Sequence, residues 1–206
     1  MNGREPVEAL PALARRLWES MQAPALEPFL DDWPASSERA AISPRGNPDA
    51  LPVLRWLPQI AACGRSCDPG FVDAMCRAAP HLEWRQTYGR REVGEAFLQN
   101  YAWSELVGPD GMIPSSKISC GVIVLGPNLF YPHHRHEAEE MYVPLSGTAA
   151  WLKGDAVWRE HAPGTLIHHL SEEPHAMQTR EEPLLAMYLW RSANLRQRAR
   201  LDGSAE

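Results

Sequence analysis

Twelve consecutive positions, Tyr131-Pro-His-His134-Arg-His136-Glu-Ala-Glu-Glu140-Met-Tyr142, gather the side chains best suited to chemistry. Side chains alternate along a strand, so His134 and His136 project to one side. Glu140 and Tyr142 likewise share a face of the next strand, which the Glu137–Ala138–Glu139 bend can fold back on the first. Imidazole nitrogen together with carboxylate oxygen suits divalent Zn, Fe, Mn, Ni or Co. A fourth ligand has to come from farther along, and His175, after the Glu172–Glu173–Pro174 turn, is the best placed candidate. Of the eight histidines, seven lie between positions 133 and 175. His133 is out of phase with His134, His161 sits near a turn, and His168 and His169 must point to opposite faces, so none of these is expected as a ligand.

Two kinds of element are predicted to position this set. Residues 6–22 place Val7, Leu10, Leu13, Leu17 and Met21 at spacings of three and four, an amphipathic helix opened by Pro6. Shorter helices are expected at 49–62, 69–79 and 92–106, punctuated by Asp31–Asp32–Trp33–Pro34 and Ser43–Pro44–Arg45–Gly46. From Lys117 the pattern changes to short strands: Ile118 to Leu125, Glu140 to Leu145, Thr148 to Leu152, Ala156 to Arg159, Thr165 to His169 and Leu184 to Trp190. Turn signals such as Gly126–Pro127–Asn128 and Ser146–Gly147 separate them, as in an antiparallel sandwich or barrel. The expected organisation is mainly β with α: a helical N-terminal region (1–114) packed on a β-barrel carrying the site (115–195), then a tail (196–206).

The chain has 206 residues and a formal net charge of −6. No basic face is offered to a nucleic-acid backbone, so nucleic-acid binding is not expected. Charges and prolines interrupt the N-terminus where a signal peptide needs an apolar run, and no stretch approaches the roughly 18 apolar residues of a membrane span. The expected location is the cytoplasm, with no membrane partner. Cys63, Cys67, Cys76 and Cys120 lack the paired short spacings of a zinc ribbon and are expected to be reduced thiols.

The order His134, His136, Glu140, Gly147, followed by Pro163–Gly164 and the pair Pro174–His175, resembles the two sequence motifs of the cupin superfamily. Asn128 and Thr179 depart from the superfamily pattern at turn and loop positions, away from the ligands. Adding the tyrosines, Tyr131-x-x-His134-x-His136-x-x-x-Glu140-x-Tyr142 is similar to the cupin-type dimethylsulfoniopropionate lyases, whose helical N-terminal region also matches in size. The resemblance implies a jelly-roll-like cupin barrel. It also implies one divalent transition metal, zinc or iron first, on His134, His136, Glu140 and His175. The reaction implied is cleavage of dimethylsulfoniopropionate, or a related sulfonium carboxylate, to dimethyl sulfide and acrylate. Pairing through edge strands or helical arms is common among cupins, so a homodimer is the expected assembly.

The residue types suit that chemistry. The proton to be removed lies next to a carboxylate and is weakly acidic, so the developing charge needs a Lewis acid. Tyr142, with an ordinary pKa of about 10, would be favoured as phenolate beside a dication and is the expected general base. It could also ligate the ion at rest. Tyr131 would orient substrate or act as a second acid/base group. Tyr188 and Trp190 are candidate walls for the sulfonium, since aromatic faces attract such cations by about 0.5–2 kcal/mol each. The same ligand set serves an Fe(II) cupin dioxygenase, which would need oxygen but not the tyrosines. A non-catalytic small-molecule-binding cupin is a further alternative. A phosphosugar isomerase would need more Arg or Lys on the strands.

Overall fold

The computed structural model describes residues 4–35, 51–154 and 156–202. The expected Ser43–Pro44–Arg45–Gly46 break and the first two positions of the 49–62 helix lie outside them. The helices are α1 (Arg4–Ser20), α2 (Glu27–Asp31), α3 (Leu57–Ala62), α4 (Pro69–Ala78) and α5 (Arg90–Leu98). Short 3₁₀ turns such as Pro52–Trp56 join some of them.

The strands are β1 (Tyr101–Gly108), β2 (Ile113–Pro114), β3 (Ile118–Leu125), β4 (Phe130–Arg135), β5 (Glu139–Ser146), β6 (Ala149–Lys153), β7 (Arg159–His161), β8 (Ile167–His169), β9 (His175–Thr179), β10 (Leu184–Arg191) and β11 (Arg200–Leu201). One sheet runs β2-β1-β3-β10-β5-β8 and the other β11-β4-β9-β6-β7. All neighbours are antiparallel except β1 and β2. The jelly-roll-like architecture is therefore present as two sheets sharing a core, not as one closed cylinder.

Alternation explains the layering. On β3, β5 and β10, Cys120, Val122 and Val124, Met141, Val143 and Leu145, and Leu185, Met187 and Leu189 share one core with the helical residues Leu10, Trp18, Ile60 and Phe71. The intervening Ile123, Tyr142, Ala186 and Tyr188 share a second core with Tyr131, Trp151 and Met177 of the other sheet. The first sheet is thus buried on both faces, which is why β3 reads as a continuous apolar run. Trp18 ties α1 to β3 by donating its indole N–H to Cys120 Sγ at 3.4 Å, and all four cysteines are free.

Three elements differ from the sequence reading. The helix expected over 92–106 ends at Leu98, and Tyr101–Gly108 is strand β1, paired along β3 with one bulge between Glu105 and Val107. The first sheet therefore begins well before residue 115, and the C-terminal segment contributes β11, paired to β4. The strand expected at Ala156 to Arg159 forms instead at Arg159–His161, paired with β6.

Gly121 on β3 is a point where the layers close. A Cβ there would lie 2.2 Å from Ser104 O and 2.6 Å from Tyr188 Oη. Gly121→Ala is expected to destabilise the fold by about 1–3 kcal/mol through that overpacking, measured by denaturant unfolding. An unchanged midpoint would show that both the Ser104 backbone and the tyrosine can shift at no cost.

Candidate active site

Antiparallel register assembles the site from both sheets. In the second sheet His134 on β4 is the register partner of His175 on β9, and their rings lie 4.1 Å apart. His136 follows β4 immediately, and its ring centroid is 5.1 Å from that of His175. In the first sheet, one row across the strands runs His169–Glu140–Trp190–Ser119. The next row runs Ile167–Tyr142–Tyr188–Gly121–Glu105. Glu140 therefore approaches the imidazoles from across the interior.

His134, His136 and His175 are buried, with ring nitrogens within 4.8 Å of one another. Each Nδ1 faces a backbone carbonyl and so donates to it: His134 to Pro132 O at 2.8 Å, His136 to Ala138 O at 2.9 Å, His175 to Glu173 O at 2.8 Å. A proton on Nδ1 leaves the Nε2 lone pair free in the neutral ring, the arrangement that orients histidine ligands. Glu140 Oε2 lies 3.0 Å from His136 Nε2 and 3.2 Å from His175 Nε2. Glu140 Oε1 accepts the indole N–H of Trp190.

Electrostatics follow the same geometry. Burial, then the neighbouring His175, hold His134 well below the usual imidazole range. Burial opposes charge on His136, but the adjacent Glu140 outweighs it and raises its pKa. Burial would raise Glu140, yet the imidazoles of His136 and His175 bring its carboxyl well below the ordinary range. The donor set fits a divalent ion. Among the described residues, His175 Nε2 is buried with no hydrogen-bond partner despite its closeness to Glu140. A buried lone pair left unused where three other donors converge is what a bound cation would satisfy.

A cavity of about 290 Å³ opens from this centre. Its lining includes Tyr131, Tyr142, Tyr188, Trp190, Trp103 and Glu105. Tyr131 stacks on His134 at 4.2 Å and 7° and hydrogen-bonds Tyr88 Oη at 3.1 Å. Tyr142 packs on Trp151 at 5.0 Å. Burial first, then the Glu140 charge, raise the Tyr142 hydroxyl well above its usual pKa. Proton loss there therefore requires a positive charge held against it.

The family profile of the dimethylsulfoniopropionate lyases matches residues 35–186. The chain belongs to this family. The lyase DddQ of Ruegeria pomeroyi is 30% identical over 181 residues, covering 88% of this chain and 90% of that one. The putative dimethylsulfoniopropionate lyase DddL of Cereibacter sphaeroides is 34% identical over 146 residues, covering 69% of this chain and 60% of the relative. A chain from the crystal structures of the DMSP lyases RdDddP and RnDddQII superposes with a TM-score of 0.82 at 34% identity, covering 98% of this chain and 100% of that one. Ruegeria pomeroyi DddQ gives 0.69 at 26% identity, covering 93% and 99%.

Placed in this lyase family, the eight residues singled out from the sequence converge: His134, His136, Glu140 and His175 at the centre, Tyr131, Tyr142, Tyr188 and Trp190 around it. Trp190 does more than form a wall. Its ring lies 4.1 Å from that of His136 while its N–H holds Glu140. Trp190→Phe keeps the ring and removes the donor, and is expected to weaken divalent-ion affinity by about ten- to a hundredfold. Competition with a chromophoric chelator measures this, and an unchanged affinity would deny the indole any part in orienting Glu140.

Of the remaining histidines, His169 turns inward. It is fully buried and stacks on His175 at 4.2 Å, and both of its ring nitrogens lack partners among the described residues. Burial, then His175, push its pKa down to about 3, so it stays a neutral packing ring. His168 points out and pairs with Glu139 at 2.7 Å. The sequence reading missed Tyr88, Tyr101, Trp103 and Glu105. Tyr101, Trp103 and Glu105 lie on β1, and the aromatic alternation Tyr101-x-Trp103 was the available strand signal.

Proposed function

We propose that this protein cleaves dimethylsulfoniopropionate, or a closely related sulfonium carboxylate, to dimethyl sulfide and acrylate by β-elimination. The observation that carries the reading is the convergence of three imidazole Nε2 atoms and the Glu140 carboxylate on a cavity walled by tyrosines. A divalent ion held by His134, His136, Glu140 and His175, zinc or iron first and manganese, nickel or cobalt also compatible with these donors, would supply Lewis acidity toward the substrate carboxylate.

The chain's own residues do the rest. Tyr142, as phenolate, takes the proton from the carbon next to the carboxylate. That C–H electron pair becomes the new carbon–carbon double bond, the C–S bond breaks, and its electrons leave on sulfur as neutral dimethyl sulfide. Tyr131, steadied by Tyr88 and stacked on His134, orients the substrate. Tyr188 and Trp190 present aromatic faces to the sulfonium. The close packing of these side chains limits water around the reacting carbon.

The test is headspace measurement of dimethyl sulfide, with acrylate assayed alongside, from purified protein given substrate and each metal in turn without oxygen. Equal amounts of the two products are expected. A strict need for oxygen would point to a dioxygenase, and no dimethyl sulfide with any metal would overturn the substrate assignment. Cytoplasmic residence and a homodimer belong to the same proposal and are tested by fractionation and sedimentation.

A further inference from the structure

One carboxylate lining the cavity has no part in the metal centre. Glu105 lies on β1, in register through Gly121 and Tyr188 with Tyr142. Three strand spacings separate the two ends of that row, about 14 Å at the backbone. Both side chains line the same cavity, with Tyr188 between them. A β-bulge between Glu105 and Val107 interrupts the ladder here, a device that re-aims side chains beside active sites.

Among the described residues, the carboxylate accepts hydrogen bonds only from neutral donors. Oε1 accepts from Ser119 Oγ at 2.6 Å and Oε2 from the Asp110 N–H at 2.8 Å. It folds over Gly108, where a Cβ would come within 2.2 Å of Oε1. The nearby guanidinium groups make their hydrogen bonds to other carboxylates, and Arg85 also lies over one face of the Trp103 ring at 5.7 Å, which leaves the Tyr188 ring and the other face of Trp103 to a ligand. Arg85 binds Glu83 at 2.9 Å and Asp110 at 3.2 Å. Arg196 donates to both Asp110 oxygens at 2.9 Å. Among the described residues, none forms an ion pair with Glu105.

Arg85 and Arg196 reach Glu105 only through space, and burial outweighs Arg85 and raises the Glu105 pKa. A partly buried carboxylate with no ion pair of its own is costly unless something neutralises it. The flanking surface states what kind of group would do so. Trp103 and Tyr188 meet edge to face at 6.4 Å beside it, an aromatic setting suited to a cation that has no hydrogen-bond donors. We propose that Glu105 is the counter-charge for the cationic end of the substrate and, with Trp103 and Tyr188, makes the pocket select onium carboxylates over carboxylates of the same shape whose tail is uncharged. The inference rests on the proposed reaction for the identity of the cation, but its test requires no turnover.

Two ligands differ only in charge: 3-(trimethylammonio)propanoate and 4,4-dimethylpentanoate. Calorimetric titration of the metal-loaded wild-type protein is expected to show at least about tenfold tighter binding of the ammonium compound, from the Coulomb attraction of a partly desolvated pair. In Glu105→Gln that preference should fall to within about twofold, with affinity for 4,4-dimethylpentanoate, whose tail carries no charge, little changed; for turnover, KM should rise at least about tenfold and kcat much less. Glu105→Asp, which withdraws the charge by one methylene, should keep part of the preference. A wild-type protein indifferent to charge would overturn the proposal even if the glutamine variant failed to fold. So would an equal loss for both ligands, the mark of a structural role, or an intact preference in Glu105→Gln. Absence of dimethyl sulfide release from wild type overturns the reaction instead, and leaves the charge preference to be judged separately.

Discussion

Glu140→Gln is expected to lose most of its bound divalent ion and to release dimethyl sulfide at least about a thousandfold more slowly, the largest effect of any single change considered. Glutamine keeps the shape of the side chain but replaces an anionic donor with a neutral amide. The four donors would then supply no negative charge, and the Lewis acidity required for proton removal, several kcal/mol of transition-state stabilisation, would go with the ion. The geometry sharpens the expectation. Glu140 is fully buried, hydrogen-bonds His136, lies 3.2 Å from His175 Nε2 and accepts from Trp190. An amide has only one acceptor oxygen for those positions, and its NH₂ would face Nε2 or the indole N–H. Metal content by mass spectrometry, with circular dichroism to establish folding, checks the result. A folded Glu140→Gln protein with full metal and full activity would remove Glu140 from the donor set.

Tyr142→Phe is expected to behave in the opposite way with respect to metal. The ring packs between Trp151 at 5.0 Å and His169 at 6.2 Å, contacts that phenylalanine retains. Metal content should stay at the wild-type level, and stability should change by about 1 kcal/mol, the typical net worth of one hydroxyl hydrogen bond. Product release should fall by about 10²- to 10⁴-fold, the usual contribution of a positioned general base. The drop should lie in kcat, because the hydroxyl is needed in the transition state more than for binding. Activity near wild type in a metal-replete Tyr142→Phe protein would move the base elsewhere, with Tyr131 the next hydroxyl to test. Together the two variants separate loss of the metal from loss of the proton acceptor.

The contrast between these residues and Glu105 shows where sequence reading succeeds. His134, His136, Glu140 and Tyr142 lie within one short stretch, so strand alternation alone aligns them. His175 could be added because a Pro174 turn precedes it. The runs at Ile118 to Leu125 and Leu184 to Trp190 were legible as strands, being apolar on both faces. Tyr101–Gly108 was not. Ala102 and Leu106 fall at a helical spacing of four, directly after a genuine helix, and only pairing along β3 makes the segment a strand. Strand preference is weak beside such tertiary pairing. With β1 misread, Trp103 and Glu105 had no face to share with the site.

By itself, then, the sequence of this chain set His134, His136, Glu140 and Tyr142 close together on adjoining strands, and a helical region before short strands, because local spacing controls which way neighbouring side chains point. Only the tertiary structure decided that Trp190 holds Glu140 by its indole N–H, that His169 is a buried neutral ring, and that Glu105 lines the same cavity. Each of these depends on register between strands distant in the chain, which is set by the summed packing of two sheets and is written in no single segment.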